Sequence, residues 1–161
     1  MDKIREKSMM HEIMRNGLAV ILGVVVGSMV NLAIVALGPM VIPLPQGVDM
    51  SDTAKFAENL KLFKPANFLA PWLAHSLGTL VGAFLAALLA VRCKMAFALS
   101  IGVFFLLGGI AMIAMVGGPV WFAVVDLLGA YLPMGYLGGC IAKNSPQVLR
   151  FGIVKDTIGS G

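Results

Sequence analysis

Four long apolar stretches alternate with short polar ones along the chain. Each is close to the roughly 20 residues that cross the hydrocarbon core of a bilayer as a helix. The pattern predicts spans over residues 17–38, 67–91, 95–116 and 119–142. Residues 1–16 are polar and mixed in charge, with Met9, Met10, Ile13 and Met14 at helical spacing, which predicts an amphipathic segment along the membrane surface. The apolar run behind it is too long for a signal core, so the first span is expected to remain as an uncleaved anchor. Pro39, Pro43 and Pro45 are expected to end that span. The loop over 40–66 carries a second amphipathic pattern over 52–63. There Ser51 or Asp52 can cap the helix, with Phe56, Leu60 and Phe63 on one face and Lys55, Glu58 and Lys61 on the other. Residues 143–161 form a polar tail. The predicted fold class is all-α, a bundle of four transmembrane helices.

Composition supports this reading. Of 161 residues, 59% are hydrophobic and 12% charged, against about 25% charged in a soluble domain. The net charge is +4, but the basic residues flank apolar spans and form no stripe, so nucleic acid is not an expected partner. Lys3, Arg5, Lys7, Arg15, Arg92, Lys94, Lys143, Arg150 and Lys155 share one side of a four-span topology. Lys55, Lys61 and Lys64 lie on the other. By the positive-inside rule both termini are cytoplasmic and the loop faces outward, as in a bacterial inner-membrane protein. Cys93 and Cys140 are too few and too far apart for a zinc site or a redox pair and are expected to stay reduced.

The close-packing signals are glycines. Gly23 and Gly27 on span one, and Gly78 and Gly82 on span two, have the spacing that lets helix backbones approach. Both pairs sit in the same local pattern, LGxxVG, at Leu22–Gly27 and Leu77–Gly82. Gly108, Gly109 and Gly129 extend the set of expected packing positions. Trp72 and Trp121 fall where interfacial aromatic anchors belong.

Polar residues inside the spans are few. Asp126 lies in span four, where a carboxylate costs about 2.5–3.5 kcal/mol on insertion scales. Asn31, His75 and Asp126 each fall roughly 10 Å below the loop-side boundary at 1.5 Å rise per residue. Three helices therefore place their most polar residue in one layer, at the level where Gly108 and Gly109 leave room for a side chain, a water or a small ligand. Ala123, Gly129, Ala130 and Pro133 share the Asp126 face, so the carboxylate is expected to face protein. Pro133 cannot bond the carbonyl of Gly129, which predicts a kink or a freed acceptor near Asp126. The layer serves either as interhelical glue or as a path for a proton or solute.

Other motifs add little. Met112 and Met115 could hold Cu(I) with His75 but are expected to be packing residues. Tyr131 and Tyr136 are expected to pack or to anchor at the interface. Ser28, Ser76, Thr79 and Ser100 can bond back to their own helices. No nucleotide loop, HExxH or GxSxG is present, so no catalytic residue, metal or cofactor is expected. The stretches LGTLVGAFLAALLA, ALSIGVFFLLGGIA and WFAVVDLLGAYLPMGYLGG resemble a group of small four-span bacterial membrane proteins with no established activity. That resemblance implies the four-span fold and transfers no functional residue. Small multidrug exporters carry a membrane glutamate in the first span, where this chain has Asn31, and membrane thiol oxidoreductases need cysteine pairs absent here.

Three functional readings follow. The first is a non-catalytic accessory or structural subunit that works through helix packing, in the bilayer and with a second copy or a larger membrane complex. The second is a small proton-coupled transporter or channel using the Asn31/His75/Asp126 layer. The third is a membrane enzyme with His75 as base and Asp126 as its orienter.

Overall fold

A computed structural model describes residues 2–48 and 55–145. Among them the chain is all-helical: α1 Asp2–Val41, α2 Phe56–Leu62, a 3-10 turn Pro65–Phe68, α3 Leu69–Leu89, α4 Lys94–Val116, α5 Val120–Gly129 and α6 Leu132–Asn144. Four stretches are long and apolar enough to cross a membrane: Arg5–Val41, Pro65–Leu89, Lys94–Val116 and Val120–Asn144.

The helices differ from the sequence expectation at their ends. Residues 2–16 are not a separate surface helix but the first turns of the 40-residue α1. Only Gly17 stands at the join, and one glycine costs a helix about 1 kcal/mol without breaking it. Pro39 does not stop α1 either. The helix runs on to Val41 and closes with Ile42 N–H donating to Gly38 O at 2.9 Å. Residue 42 precedes Pro43, which disfavours helical backbone at that position and ends the helix. The loop helix, expected over 52–63, spans Phe56–Leu62 among the described residues and stops one residue before Phe63. The caps expected at Ser51 and Asp52 lie outside the described residues, as does most of the tail. Span four is two helices, broken at Ala130 and Tyr131.

α3 is the hub. It packs along α1 on one side and against α4 and α6 on the other. The α1–α3 seam is built from the predicted glycines, in reciprocal pairs. A Cβ on Gly23 would lie 2.7 Å from Gly82 O, and one on Gly82 would lie 2.6 Å from Gly23 O. Gly27 and Gly78 face each other in the same way, at 2.7 and 2.8 Å. Rising numbers on one helix meet falling numbers on the other, so the two are antiparallel. Gly108 behaves otherwise: nothing lies within 4 Å of a Cβ built there, so it is not a packing position. Gly129 meets only the Trp72 ring, at 3.6 Å. Gly102, Gly135, Gly138 and Gly139 add an α4–α6 and α3–α6 seam that the spacing alone did not single out.

Polar latches fix the two ends. At the end holding the termini, the Asn16 side chain accepts from Val91 N–H at 3.0 Å. Arg15 Nε donates to Leu89 O at 3.1 Å, covering one of the open carbonyls at the end of α3. At the loop end, Asn67 Nδ2 donates to Pro43 O and Asn67 Oδ1 accepts from Lys64 N–H, both at 3.0 Å. Phe68 is buried there against Phe63, Trp121 and Phe122.

The two halves of the bundle are packed differently. Ala83, Ala86, Ala87, Ala98, Ile101 and Ala142 form a closed core in the half nearer the termini. The half nearer the loop contains cavities.

The seam gives a paired expectation. Gly27→Ala forces a methyl against the facing backbone, where overpacking costs about 1–3 kcal/mol. Gly108→Ala meets open space and should gain about 0.5–1 kcal/mol from helix propensity. Thermal unfolding of the two purified variants should therefore shift in opposite directions from wild type.

Candidate functional site

Asp126 sits near the middle of α5 and is 2% exposed. An ionised carboxylate only accepts, so its partners must be donors. His75, on the facing turn of α3, donates through Nδ1 to both carboxylate oxygens, at 2.8 and 3.0 Å. Tyr131 Oη donates to Oδ2 at 2.9 Å. The Tyr131 ring stacks on the His75 ring, with centroids 5.7 Å apart.

The break in span four creates this arrangement. Residues five apart in a regular helix lie about 140° apart around the axis, so Tyr131 could not reach Asp126. Pro133 lacks the N–H that would continue the ladder, and Tyr131 turns out of helical register with φ −113° and ψ −74°. Ala130 N–H closes α5 on Asp126 O at 2.9 Å, and Gly135 N–H opens α6 on Tyr131 O at 2.8 Å. The Tyr131 side chain returns alongside Asp126 and fills the gap left by Gly109, where a Cβ would lie 2.5 Å from Tyr131 Oη. The space expected at Gly108 and Gly109 is thus half filled, by a tyrosine at Gly109.

His75 lies at a junction between two cavities. The first, about 310 Å³, runs between α1, α3 and α4 and includes Ser28, Asn31, Thr79, Phe105, Gly108 and Tyr131 in its wall. The second, about 280 Å³, rises toward the loop end beneath Phe56, Leu60 and Phe63 of α2 and reaches Asp126. Asn31, Leu32, His75, Gly109 and Met112 line both. His75 is 28% exposed. With Nδ1 committed to Asp126, Nε2 is the ring nitrogen available to the cavity.

The predicted layer is therefore realised in part. His75 and Asp126 are in direct contact. Asn31 packs on Gly78 and lines the cavities, with no hydrogen bond to either among the described residues. Trp121 is half exposed near the loop end. Trp72 is not placed as an anchor: its Nε1 is buried without a partner. Ser76 and Ser100 bond back to their helices, to Trp72 O and Phe97 O, each at 2.7 Å. Thr79 does not; its Oγ1 is buried and unpartnered in the wall of the first cavity, one turn from His75. Met112 lines the cavities while Met115 is largely exposed, so the two thioethers do not converge on His75.

Tyr131 is the member sequence reasoning missed. A buried tyrosine hydroxyl requires a partner, and a tyrosine two residues before an in-span proline is where a helix can turn such a group back on itself. Both signals were present. No protein-family model matches the chain, and neither a curated protein nor a solved structure matches it.

These bonds predict a graded loss. Tyr131→Phe removes one donor and should cost about 0.6–1.7 kcal/mol, the range for polar contacts between membrane helices. His75→Ala leaves the carboxylate short of its main donor and should cost about 3–5 kcal/mol. A double-mutant cycle on His75 and Asp126, read by denaturant unfolding in detergent, should show strong coupling.

Proposed function

We propose that this chain is an integral membrane protein that moves a small solute in exchange for, or together with, a proton held by the His75–Asp126 pair. The observation that carries this reading is the placement of a carboxylate–histidine pair where two cavities adjoin, with His75 in the wall of both and Asp126 in the wall of the second. Intramembrane ionisable residues facing a cavity mark proton and solute paths. The membrane setting is supported by four long apolar stretches and by large apolar side chains exposed on their outer faces, among them Leu18, Val25, Leu107 and Leu128. The residues buried between helices are mostly alanine and glycine, the packing used where lipid is the solvent.

The accessory-subunit reading draws on small residues left over for a partner. Here the glycine pairs of α1 and α3 face each other within one chain. The proton-coupled reading uses the feature that the packing reading leaves without a role, which is the hollow beside the pair.

The pair provides the chemistry such a role requires. Tyr131 and the His75 Nδ1–H hold the carboxylate in place, so a proton gained or lost exchanges at Nε2, on the cavity side. The closed alanine core on the side of the termini leaves the pair in contact with the loop-side cavities.

Vesicles reconstituted with the protein and loaded with a pH-sensitive dye test this. Presented with panels of small cationic, neutral and anionic solutes, the wild type should show solute-dependent proton movement with at least one class. Asp126→Asn, which keeps the shape and an acceptor for Tyr131, should lose that movement while folding normally. Wild-type vesicles silent to every class, together with an Asp126→Asn variant altered only in melting temperature, would leave the accessory-subunit reading in its place.

A further inference from the structure

Resting on the proton-exchange reading above, we infer that the cavity between α1, α3 and α4 binds a small lipophilic ammonium ion in competition with the proton on the His75–Asp126 pair. The argument begins with the charges around the cavity. Over 17–38, 69–89, 95–116 and 120–142, Asp126 is the only Asp, Glu, Lys or Arg and His75 the only histidine. Besides the pair, the two cavities are lined from α1 by residues such as Asn31 and Leu32, from α4 by others such as Phe105, Gly109 and Met112, from the α5–α6 break by Tyr131, and from α2 by apolar side chains alone. None of these carries a positive charge. With neutral His75 the site is an uncompensated single negative charge, and with a proton added it is neutral. An anion in the cavity would meet no net positive charge in either state, since a protonated His75 is already balanced by Asp126. A monovalent cation exactly replaces the proton in the charge balance, and the displaced proton leaves from His75 to solvent.

The polar groups agree with that sign. Neutral His75 with its proton on Nδ1 presents Nε2 as an acceptor. Thr79 Oγ1, 1% exposed for the residue and without a protein partner, stands one turn away in the same wall. Asn31 and Ser28 add further oxygens. An ammonium head offers several N–H donors to such a set. Aromatic faces at Phe105 and Tyr131 are attractive to cations, and Leu32 and Met112 suit a hydrocarbon tail. The volume, about 310 Å³, lies at the lower end of the range for small-molecule sites, about 300–1,000 Å³.

The geometry also provides access. α1 leans on α3 and meets α4 mainly near Ile101 and Phe105, at the floor of the cavity. Toward the loop end from Phe105, Gly108 has open space around it. The cavity therefore continues past Gly108 between α1 and α4, the side from which an amphipathic cation dissolved in the bilayer would arrive.

Calorimetric titration of the full chain in phosphatidylcholine nanodiscs tests the inference, with benzylammonium and its neutral analogue benzyl alcohol as probes. Benzylammonium should bind, with affinity falling by up to tenfold per pH unit as pH is lowered, since one proton competes with one cation. Benzyl alcohol should show no such dependence. Asp126→Asn should weaken benzylammonium at least tenfold and leave benzyl alcohol unchanged. Failure of benzylammonium to bind at any pH, equal behaviour of the two probes, or unaltered binding to Asp126→Asn each overturns the inference. Solute-dependent proton movement in vesicles alongside failed benzylammonium binding would remove the ammonium assignment and leave the proton-exchange reading standing.

Discussion

A single carboxylate buried among apolar helices sets the requirements for the loop half of this protein. Asp126 must be given donors, and the apolar stretches over 17–38, 69–89, 95–116 and 120–142 carry no lysine or arginine to supply them. The donors come from two places that a straight fourth helix could not combine: His75 across the bundle, and Tyr131 five residues further along the same stretch. To bring Tyr131 back, the helix must break at Ala130 and Tyr131, and Pro133 makes that break cheap. To seat the ring, α4 must lack a side chain at Gly109. One electrostatic demand thus accounts for a break, a proline and a glycine on two different helices.

The other half of the bundle follows steric rules. Its helices approach until backbone meets backbone, at Gly23 with Gly82 and Gly27 with Gly78. Alanines fill what remains. Dispersion over many small contacts holds such a seam, the kind of packing that serves where lipid offers no hydrophobic drive between helices. The seam is discrete: a shift of either helix along the other brings a side chain onto a carbonyl. It forms a rigid floor beneath the polar site, and the looser α1–α4 side lies above it.

Much of this was legible in the sequence, for reasons particular to each element. The spans follow from length and hydropathy. The glycine pairs follow from spacing, but their antiparallel crossing joins α1 to α3 across the long loop, where no short turn dictates it, and only the fold reveals it. The meeting of His75 and Asp126 follows from equal depth and small-residue faces. The helix ends were less legible. Pro39 and Gly17 are breakers by propensity, yet helix runs through both, because a proline near a helix end and one lone glycine each remove too little to stop it. Depth alone also grouped Asn31 with the pair, whereas direct contact depends on rotation about the helix axis, and α1 turns Asn31 toward Gly78. Tyr131 was hidden because its role exists only once the helix is broken, and a periodic pattern assumes an unbroken helix. Trp72 was misplaced for a related reason: position near a helix start matches an anchor, but its indole nitrogen is enclosed.

Adhesion and function are often set against each other for polar residues in a membrane, and the chemistry at position 126 bears on the choice. The same link between helices could be made by a neutral acceptor. An asparagine there would accept from Tyr131 through Oδ1 and donate through Nδ2 to the other tautomer of His75, and would avoid the cost of a carboxylate, about 2.5–3.5 kcal/mol at the centre of a span. A neutral polar contact, worth about 0.6 kcal/mol on average between membrane helices, would join them without that cost. What the carboxylate adds over the amide is a titratable negative charge, fixed by two donors and open on one side to a cavity through His75. Adhesion has no use for that property, whereas exchange of a proton or a cation at the cavity wall requires it.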